Sequence, residues 1–267
     1  MIVELPDLES AVRKAVAHYW NTLSTQGGKS TDRRKHVVGG KQMDEFCKLV
    51  EATLHANGLP DASVFTKQKR VLPGYFRATK DWDLIVVHRG HLVAAVEFKS
   101  QVGSFGNNFN NRTEEAIGNA LDLKTAYREG AFGLDRPAPF LGWVMLVEDS
   151  EAARKPVKLS EPHFLAFPIF VAKDQPLRKG DKKDIGIKGD RARRDGVSYM
   201  ERYAILLRRL VLEELYDSVA LLVSPRGSAE IGRYLEPASD MTMRRLLAAL
   251  AGHVAGYVAG LPPEELQ

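Results

Sequence analysis

Apolar residues recur at helical spacing near the start of the chain. These stripes predict one helix over 8–23 and a second over 41–56, which Asn57 and Gly58 end. The residues between the two helices are rich in glycine and basic side chains, which predicts a loop.

Strand-like patterns follow in the middle of the chain. They predict strands over 63–70, 83–88 and 91–99. Only two residues, 89 and 90, separate the second and third strands, which indicates an antiparallel hairpin. Residues 140–147 are apolar on both faces, as expected of a central strand that is covered on both sides.

The stretch after the third strand is dominated by glycine and asparagine. Residues 101–112 are therefore predicted to form an irregular loop. Thr113 is then expected to cap a helix that runs to about Glu129 and ends at Gly130.

The last third of the chain gives weaker patterns. Residues 163–171 predict a non-central strand, because they contain a proline. Ser198 and Glu201 form a capping-box pattern that opens a helix to about Tyr216. A strand over 218–224 and a helix from near Asp240 complete the order, which predicts one α/β domain over 1–267 with helices packed on a central mixed sheet.

Composition fits one globular domain. Of the 267 residues, 44% are hydrophobic and 27% are charged, and no apolar run approaches the ~20 residues that cross a bilayer. The N-terminal residues carry acids rather than the basic start of a signal peptide. The single cysteine, Cys47, has no internal partner for a disulfide, so we expect a soluble protein of the cytoplasm without a membrane partner.

Charge is concentrated in one segment, although the net charge is only +4. Residues 173–195 hold nine Lys or Arg against five Asp. They are predicted to form a basic loop insertion that contacts phosphates, or else an ordinary solvated loop.

The candidate chemistry lies on the predicted hairpin. Glu97 and Lys99 share one face of their strand, Phe98 points to the core, and Asp83 opens the paired strand. Two neighbouring carboxylates repel unless a cation lies between them, and Mg²⁺ prefers carboxylate, carbonyl and water oxygens. Asp83, Glu97 and the Phe98 carbonyl are thus candidate metal ligands, and Lys99 can position a water or neutralise a phosphate.

The alternative for this pattern is a solvated strand face, since Asp-x(13)-Glu-x-Lys is weak on its own. However, Glu97 and Lys99 end an apolar run, where a solvated face would show alternating polar residues. Charges at the end of a buried strand are costly and favour a functional role.

These residues resemble the PD-(D/E)XK nuclease superfamily. The longer string KDWDLIVVHRGHLVAAVEFKSQVGSFGNNFNNRTEEAIGNALDL, about residues 80–123, is similar to the XhoI family of type II restriction endonucleases. The resemblance implies a restriction-endonuclease-like core. It also implies a homodimer that cuts double-stranded DNA at a palindrome, CTCGAG, with Mg²⁺ and leaves 5′-phosphate ends. A protecting DNA methyltransferase is expected in the same host, without a stable complex.

Two details of the superfamily pattern need assignment. Trp82, not proline, precedes Asp83, so Asp81 and Asp83 compete as the ligand, and Asp83 is preferred because it adjoins the apolar strand. Superfamily members often add an acid from a preceding helix, and Glu51 is the candidate for this helper; the alternative is a surface glutamate.

Candidate DNA contacts flank the predicted site. Asparagine pairs with adenine and arginine with guanine, so the predicted loop can read base edges, or its side chains can simply support turns. Lys67 and Lys69 alternate along the first strand and are expected to contact phosphates or to protect a sheet edge. The candidate base readers are Asn107, Asn108, Asn110, Asn111 and Arg112.

Three other functions compete with restriction. A repair or junction-resolving nuclease shares the chemistry but not the preference for a short palindrome. An inactive DNA-binding protein is disfavoured because Asp83, Glu97 and Lys99 are all present. A sugar hydrolase with paired carboxylates would leave Lys99 without a task.

Overall fold

The structure, a computed structural model, describes residues 7–26, 41–59, 63–134, 137–157, 196–227 and 231–262. The helices in these ranges are α1 (Leu8–Gln26), α2 (Asp44–Ala56), α3 (Phe105–Arg128), α4 (Glu151–Arg154), α5 (Tyr199–Leu212) and α6 (Met243–Ala259). The strands are β1 (Val64–Phe65), β2 (Val71–Pro73), β3 (Thr79–Asp81), β4 (Leu84–His88), β5 (His91–Gln101), β6 (Phe140–Asp149) and β7 (Ser218–Pro225).

A mixed five-stranded sheet forms the centre of the fold, in the order β1-β4-β5-β6-β7. β4 is antiparallel to both β1 and β5, whereas β5, β6 and β7 are parallel. Helix α3 connects β5 to β6, as a crossover between parallel strands requires. The predicted α/β class with a central mixed sheet is confirmed. The extent of the domain over 1–267 stays a prediction.

Alternate residues of each central strand pack into two separate apolar layers. On β5, Ala94, Val96 and Phe98 face α1, α2 and α6, and Ala95 faces α3 and α5. Since side chains alternate along a strand, Glu97 and Lys99 share the face of Ala95, which is covered by α3 and α5. The expectation that Phe98 points into the core is confirmed, and its ring lies 6.3 Å from that of Phe46.

The predicted strand over 63–70 is wrong in its extent. Only Val64 and Phe65 pair with β4, and the next residues bend away, with Lys69 in the left-handed region at φ 58°. Residues 67–69 are exposed, so they have no apolar surface to keep on the sheet. The chain then forms a two-stranded hairpin of β2 and β3 that the sequence patterns did not predict.

The predicted loop over 101–112 is also wrong, because α3 already begins at Phe105. Phe105 and Phe109 lie one turn apart and place their rings 5.9 and 6.1 Å from that of Tyr199. This packing outweighs the poor helix propensity of glycine and asparagine. Thr113 is therefore inside the helix and donates to the Phe109 carbonyl instead of capping a new helix.

The later elements follow the sequence patterns more closely. The Ser198–Glu201 capping box is present, although α5 ends at Leu212 rather than at Tyr216. The last helix is capped by Thr242 and begins at Met243, a few residues later than expected. In the ranges that the structure describes, no helix is long and apolar enough to span a bilayer. The expected strand over 163–171 and the basic segment 173–195 lie outside the described residues.

Candidate active site

The predicted acids meet where β4 ends its pairing with β5. The last pair on this side is Leu84 of β4 with Val96 of β5, so the edge of β5 that faces β4 is open beyond Val96. Asp83 lies at this edge, and its Oδ2 accepts a hydrogen bond of 2.9 Å from the Phe98 N–H. The Asp83 carboxylate thus replaces a missing strand partner and is fixed beside the next residues of β5.

Glu97 is almost fully buried, with 1% of its surface exposed. Its Oε1 contacts the ammonium groups of Lys99 and Lys80, the latter at 3.0 Å. Within the described part of the chain, its buried Oε2 has no hydrogen-bond partner. Burial, aided by the charge of Asp83, raises the pKa of Glu97 despite the two lysines. This oxygen is therefore held ready to accept a ligand.

Lys99 lies between three carboxylates. Besides Glu97, its Nζ is 3.5 Å from Asp83 Oδ2 and 3.5 Å from Glu115 Oε1. Burial alone lowers the pKa of a lysine, but the attraction of these acids outweighs it and raises the pKa of Lys99 above its usual value. The sequence prediction that Asp83, Glu97 and Lys99 come together in space agrees with these distances.

Lys80 is a second lysine of the site, and sequence reasoning gave it no role. It lies on β3, its side chain is 11% exposed, and its Nζ is 4.6 Å from the ring centroid of Trp82. Trp82 is buried and holds this segment against the core. Recognising Lys80 requires the β2–β3 hairpin, which folds it over Glu97; the only sequence signal is its place three residues before Asp83.

Asp81 and Asp83 occupy different environments. The Asp81 side chain is 57% exposed and pairs with Arg70, with Nη2 and Oδ2 2.8 Å apart. Asp83 contacts both Phe98 and Lys99. The geometry supports the choice of Asp83 over Asp81.

Helix α3 contributes a third acid that sequence reasoning did not assign. Glu115 Oε2 lies 2.6 Å from Arg112 Nη1, and its other oxygen faces Lys99. Burial raises the pKa of Glu115, but Lys99 and Arg112 outweigh it, so the pKa is lowered. Glu51, the predicted helper, lies on α2 with its carboxylate 3.9 Å from His55 Nε2, and its helper role stays a prediction.

The predicted DNA contacts lie on other elements than expected. The four asparagines are on the first turns of α3, where Asn107, Asn110 and Asn111 are exposed and Asn108 is half-buried. Arg112 pairs with Glu115 instead of standing in a loop. Lys67 and Lys69 are exposed in the bend after β1 rather than along a strand. Their DNA contacts stay predictions.

The site fits a hard divalent cation that is completed by water. Among described residues, no three acid, histidine or cysteine side chains form a ready metal site. The unpaired Glu97 Oε2 and the Asp83 carboxylate nevertheless supply anionic oxygens. The N–H and C=O of one strand residue point to the same edge, so the Phe98 carbonyl faces the side of Asp83. In proteins, Mg²⁺ usually binds few protein ligands and keeps several waters.

Fold and site together define a class. A mixed sheet flanked by helices, with two acids and a lysine where one strand leaves its neighbour, is the arrangement of a restriction-endonuclease-like protein.

Comparison with known proteins gives the family. The family model described as restriction endonuclease XhoI matches residues 23–176, more than half of the chain. The chain is 44% identical over 238 residues to the type II restriction enzyme BstVI of Geobacillus stearothermophilus, covering 87% of this chain and 95% of that enzyme. It is 43% identical over 237 residues to the type II restriction enzyme XhoI of Xanthomonas vasicola, covering 84% of each.

A third relative is the type II restriction enzyme AbrI of Azospirillum brasilense, 50% identical over 178 residues, or 61% of this chain and 77% of that enzyme. No solved structure gives a significant match. The chain therefore belongs to the XhoI family of restriction endonucleases, and its enzyme class is that of the type II site-specific deoxyribonucleases. The resemblance stated from residues 80–123 is confirmed.

Proposed function

We propose that this enzyme hydrolyses phosphodiester bonds of double-stranded DNA at a palindrome, CTCGAG, with Mg²⁺, and leaves 5′-phosphate ends. Family membership supports site-specific DNA cleavage. The sequence of the palindrome and the polarity of the ends are what the resemblance to the XhoI family implies.

One observation supports the open edge of β5 as the place where cleavage occurs. Asp83, Glu97 and Lys99 converge at the open edge of β5, and a buried oxygen of Glu97 has no partner among the described residues. An unpaired buried carboxylate oxygen is costly, so it indicates a ligand that the free chain does not provide.

Asp83, Glu97 and the Phe98 carbonyl would hold Mg²⁺. When bound, the ion polarises the scissile phosphate and makes a coordinated water more acidic. The Asp83 carboxylate is already fixed by the Phe98 N–H, so little reorganisation of the chain is needed.

The two lysines have different tasks in this proposal. Lys99 contacts Asp83, Glu97 and Glu115, so it is placed to neutralise the phosphate and to orient the attacking water. Lys80 also donates to Oε1 of Glu97 and so helps to fix the direction of Oε2. Lys99 is thus proposed as a catalytic residue and Lys80 as a positioning residue.

The same proposal includes the assembly and the setting of the enzyme. A palindromic site matches the two-fold symmetry of a homodimer, so we propose that two copies act on one duplex. The host is expected to contain a methyltransferase that protects its own DNA. A cytoplasmic location fits an enzyme with one cysteine that acts on DNA.

The test is a digest of a plasmid of known sequence with purified enzyme, in Mg²⁺ and in EDTA. We expect discrete fragments in Mg²⁺ and none in EDTA, with ends that map to CTCGAG and carry 5′-phosphates. A smear would contradict the restriction function and favour a repair or junction-resolving nuclease. Discrete fragments that map elsewhere would contradict the proposed palindrome only.

A further inference from the structure

Two neighbouring aromatic side chains project from the end of the β2–β3 hairpin. Tyr75 is 54% exposed and Phe76 is 66% exposed, and their rings touch edge to face with centroids 5.0 Å apart. We call Tyr75 and Phe76 the aromatic tip. Single exposed apolar residues are common on proteins, but an adjacent aromatic pair held together is typical of a contact surface.

The backbone of the aromatic tip is fixed by a buried carboxylate of α3. Asp122 Oδ1 accepts hydrogen bonds from the N–H groups of Tyr75 at 2.8 Å and of Phe76 at 2.7 Å. Its Oδ2 accepts from Arg77 Nε at 2.8 Å. Burial raises the pKa of Asp122, but these donors outweigh it, and the pKa lies below its usual value. These bonds of Asp122 to Tyr75, Phe76 and Arg77, which we call the Asp122 clamp, hold the aromatic tip in place.

The residues around the clamp leave little freedom to the hairpin. A Cβ at Gly74 would lie 2.5 Å from Asp122 Oδ2, so the close approach of hairpin and helix requires glycine. Arg77 Nη2 also donates to Asn119 Oδ1 at 2.8 Å. A rigid aromatic pair loses little conformational entropy when a partner binds it.

Two short paths link the aromatic tip to the candidate active site, one along the backbone to Lys80 and one through the hydrogen bonds to Asp122. Lys80, four residues after Phe76, contacts Glu97, and four residues of extended chain span at most about 14 Å. On α3, Asp122 lies two turns from Glu115, which contacts Lys99. A distance of about 14 Å along a duplex corresponds to roughly four base pairs.

We propose that the aromatic tip is a DNA-contacting surface, which packs its two rings against sugars and bases of the duplex a few base pairs from the cut. The proposal rests on the DNA cleavage proposed above, because the duplex must place a phosphate at Asp83 and Glu97. In a paired duplex the base faces are already stacked on each other, so the rings contact sugars and base edges in a groove, where aromatic side chains bury apolar surface. A duplex is chosen over a second protein copy because of the short path to the reacting phosphate.

The test removes the rings and leaves the clamp, whose bonds to the tip come from backbone N–H groups. The double variant Tyr75→Ala/Phe76→Ala is compared with wild type for its Kd on a CTCGAG duplex in EDTA, by fluorescence anisotropy at several salt concentrations. We expect binding at least about tenfold weaker with an unchanged salt slope, since the apolar contacts of two rings are lost and phosphate contacts are kept.

Two controls separate the rings from folding. Tyr75→Phe/Phe76→Tyr keeps both rings and should bind within about twofold of wild type. Leu134→Ala removes an 80% exposed apolar side chain elsewhere and should leave the Kd unchanged. Equal melting temperatures for all variants exclude a folding defect.

Three results would overturn the inference. An alanine variant with the wild-type Kd leaves no DNA contact for the aromatic tip, while normal cleavage by the same protein keeps the proposed function. Loss of the dimer in sedimentation without DNA would make the tip a contact between copies. If wild type neither binds nor cuts the duplex, the proposed function fails together with the inference.

Discussion

Strand β5 and the junction between the β2–β3 hairpin and α3 each bury a carboxylate, and the two carboxylates differ in how their oxygens are hydrogen-bonded. Asp122 at the junction accepts three hydrogen bonds within 2.8 Å, shared over both of its oxygens. Glu97 on β5 has both lysines on one oxygen and, within the described residues, no partner on the other. The pKa of Asp122 is lowered, and that of Glu97 is raised mainly by burial.

This difference separates a carboxylate that builds structure from one that awaits a ligand. A buried acid whose oxygens are both satisfied stabilises the fold that surrounds it. A buried acid with one empty oxygen lowers stability and is retained where function needs it. On this basis we propose that Glu97 takes part in the cleavage chemistry and that Asp122 supports the fold.

The largest effect is expected from Glu97→Gln, which removes the anionic oxygen and keeps the shape. We expect the single-turnover cleavage rate in Mg²⁺ to fall by roughly 100- to 1000-fold or more, because the change removes charge at the reacting centre. Duplex binding in EDTA should change little, since no phosphate contact is lost. Cleavage at the wild-type rate would remove Glu97 from the site.

Lys80→Met should have a smaller effect on cleavage. The variant keeps an unbranched side chain of similar length and removes the ammonium, which contacts both Glu97 and the Trp82 ring. Loss of a group that orients a metal ligand costs about 10- to 100-fold in activity or metal affinity. Both are measured, as the single-turnover rate over a series of Mg²⁺ concentrations. Lys80→Arg retains the charge and should recover part of the rate; equal rates in all three proteins would contradict a positioning role.

Asp122→Ala should show its main effect in stability. It leaves the N–H groups of Tyr75 and Phe76 and the Arg77 side chain without their acceptor. We expect the free energy of unfolding, measured in urea, to fall by roughly 2–4 kcal/mol. Glu97→Gln should lower the free energy of unfolding by less than Asp122→Ala does. The reverse order would contradict the difference between the two carboxylates.

The smallest effect is the pH dependence of the Asp122 clamp. Its folded pKa lies below the ordinary value of 3.8, so its ionised form stabilises the protein above that value. This stabilisation is lost as pH falls through the folded pKa. The stability difference between wild type and Asp122→Asn should therefore be constant near neutral pH and shrink below pH 3.8. Urea titrations at pH 7, 5 and 3.5 check this, and a difference that grows on acidification would contradict it.

The sequence predicted those helices and strands whose apolar spacing or capping residues are visible within the element itself. The apolar run over 140–147 became a central strand, and the Ser198–Glu201 box opened α5 as expected. The start of α3 was missed because it depends on the contacts of Phe105 and Phe109 with Tyr199, which lies far along the chain. Local propensity carries no information about such a partner.

The residues of the candidate active site also fall into those that local sequence patterns predicted and those that they did not. The spacing of Asp83, Glu97 and Lys99 across a two-residue turn was sufficient to bring them together in the predicted hairpin. Lys80 reaches the site through the β2–β3 hairpin, which the sequence patterns did not predict. Glu115 lies in the part of α3 that was predicted, but the packing that brings it to Lys99 was not. Residues delivered by long-range packing are therefore the ones that sequence reasoning left out.

The most direct test of the central claim compares Asp83→Asn with Asp81→Asn on a duplex that contains CTCGAG. The two residues differ by two positions, and only Asp83 contacts Phe98 and Lys99. We predict that in Mg²⁺ Asp83→Asn binds the duplex but does not cut it, whereas Asp81→Asn cuts at close to the wild-type rate. Cleavage by Asp83→Asn at the wild-type rate, or its loss only in Asp81→Asn, would contradict the assignment of the active site.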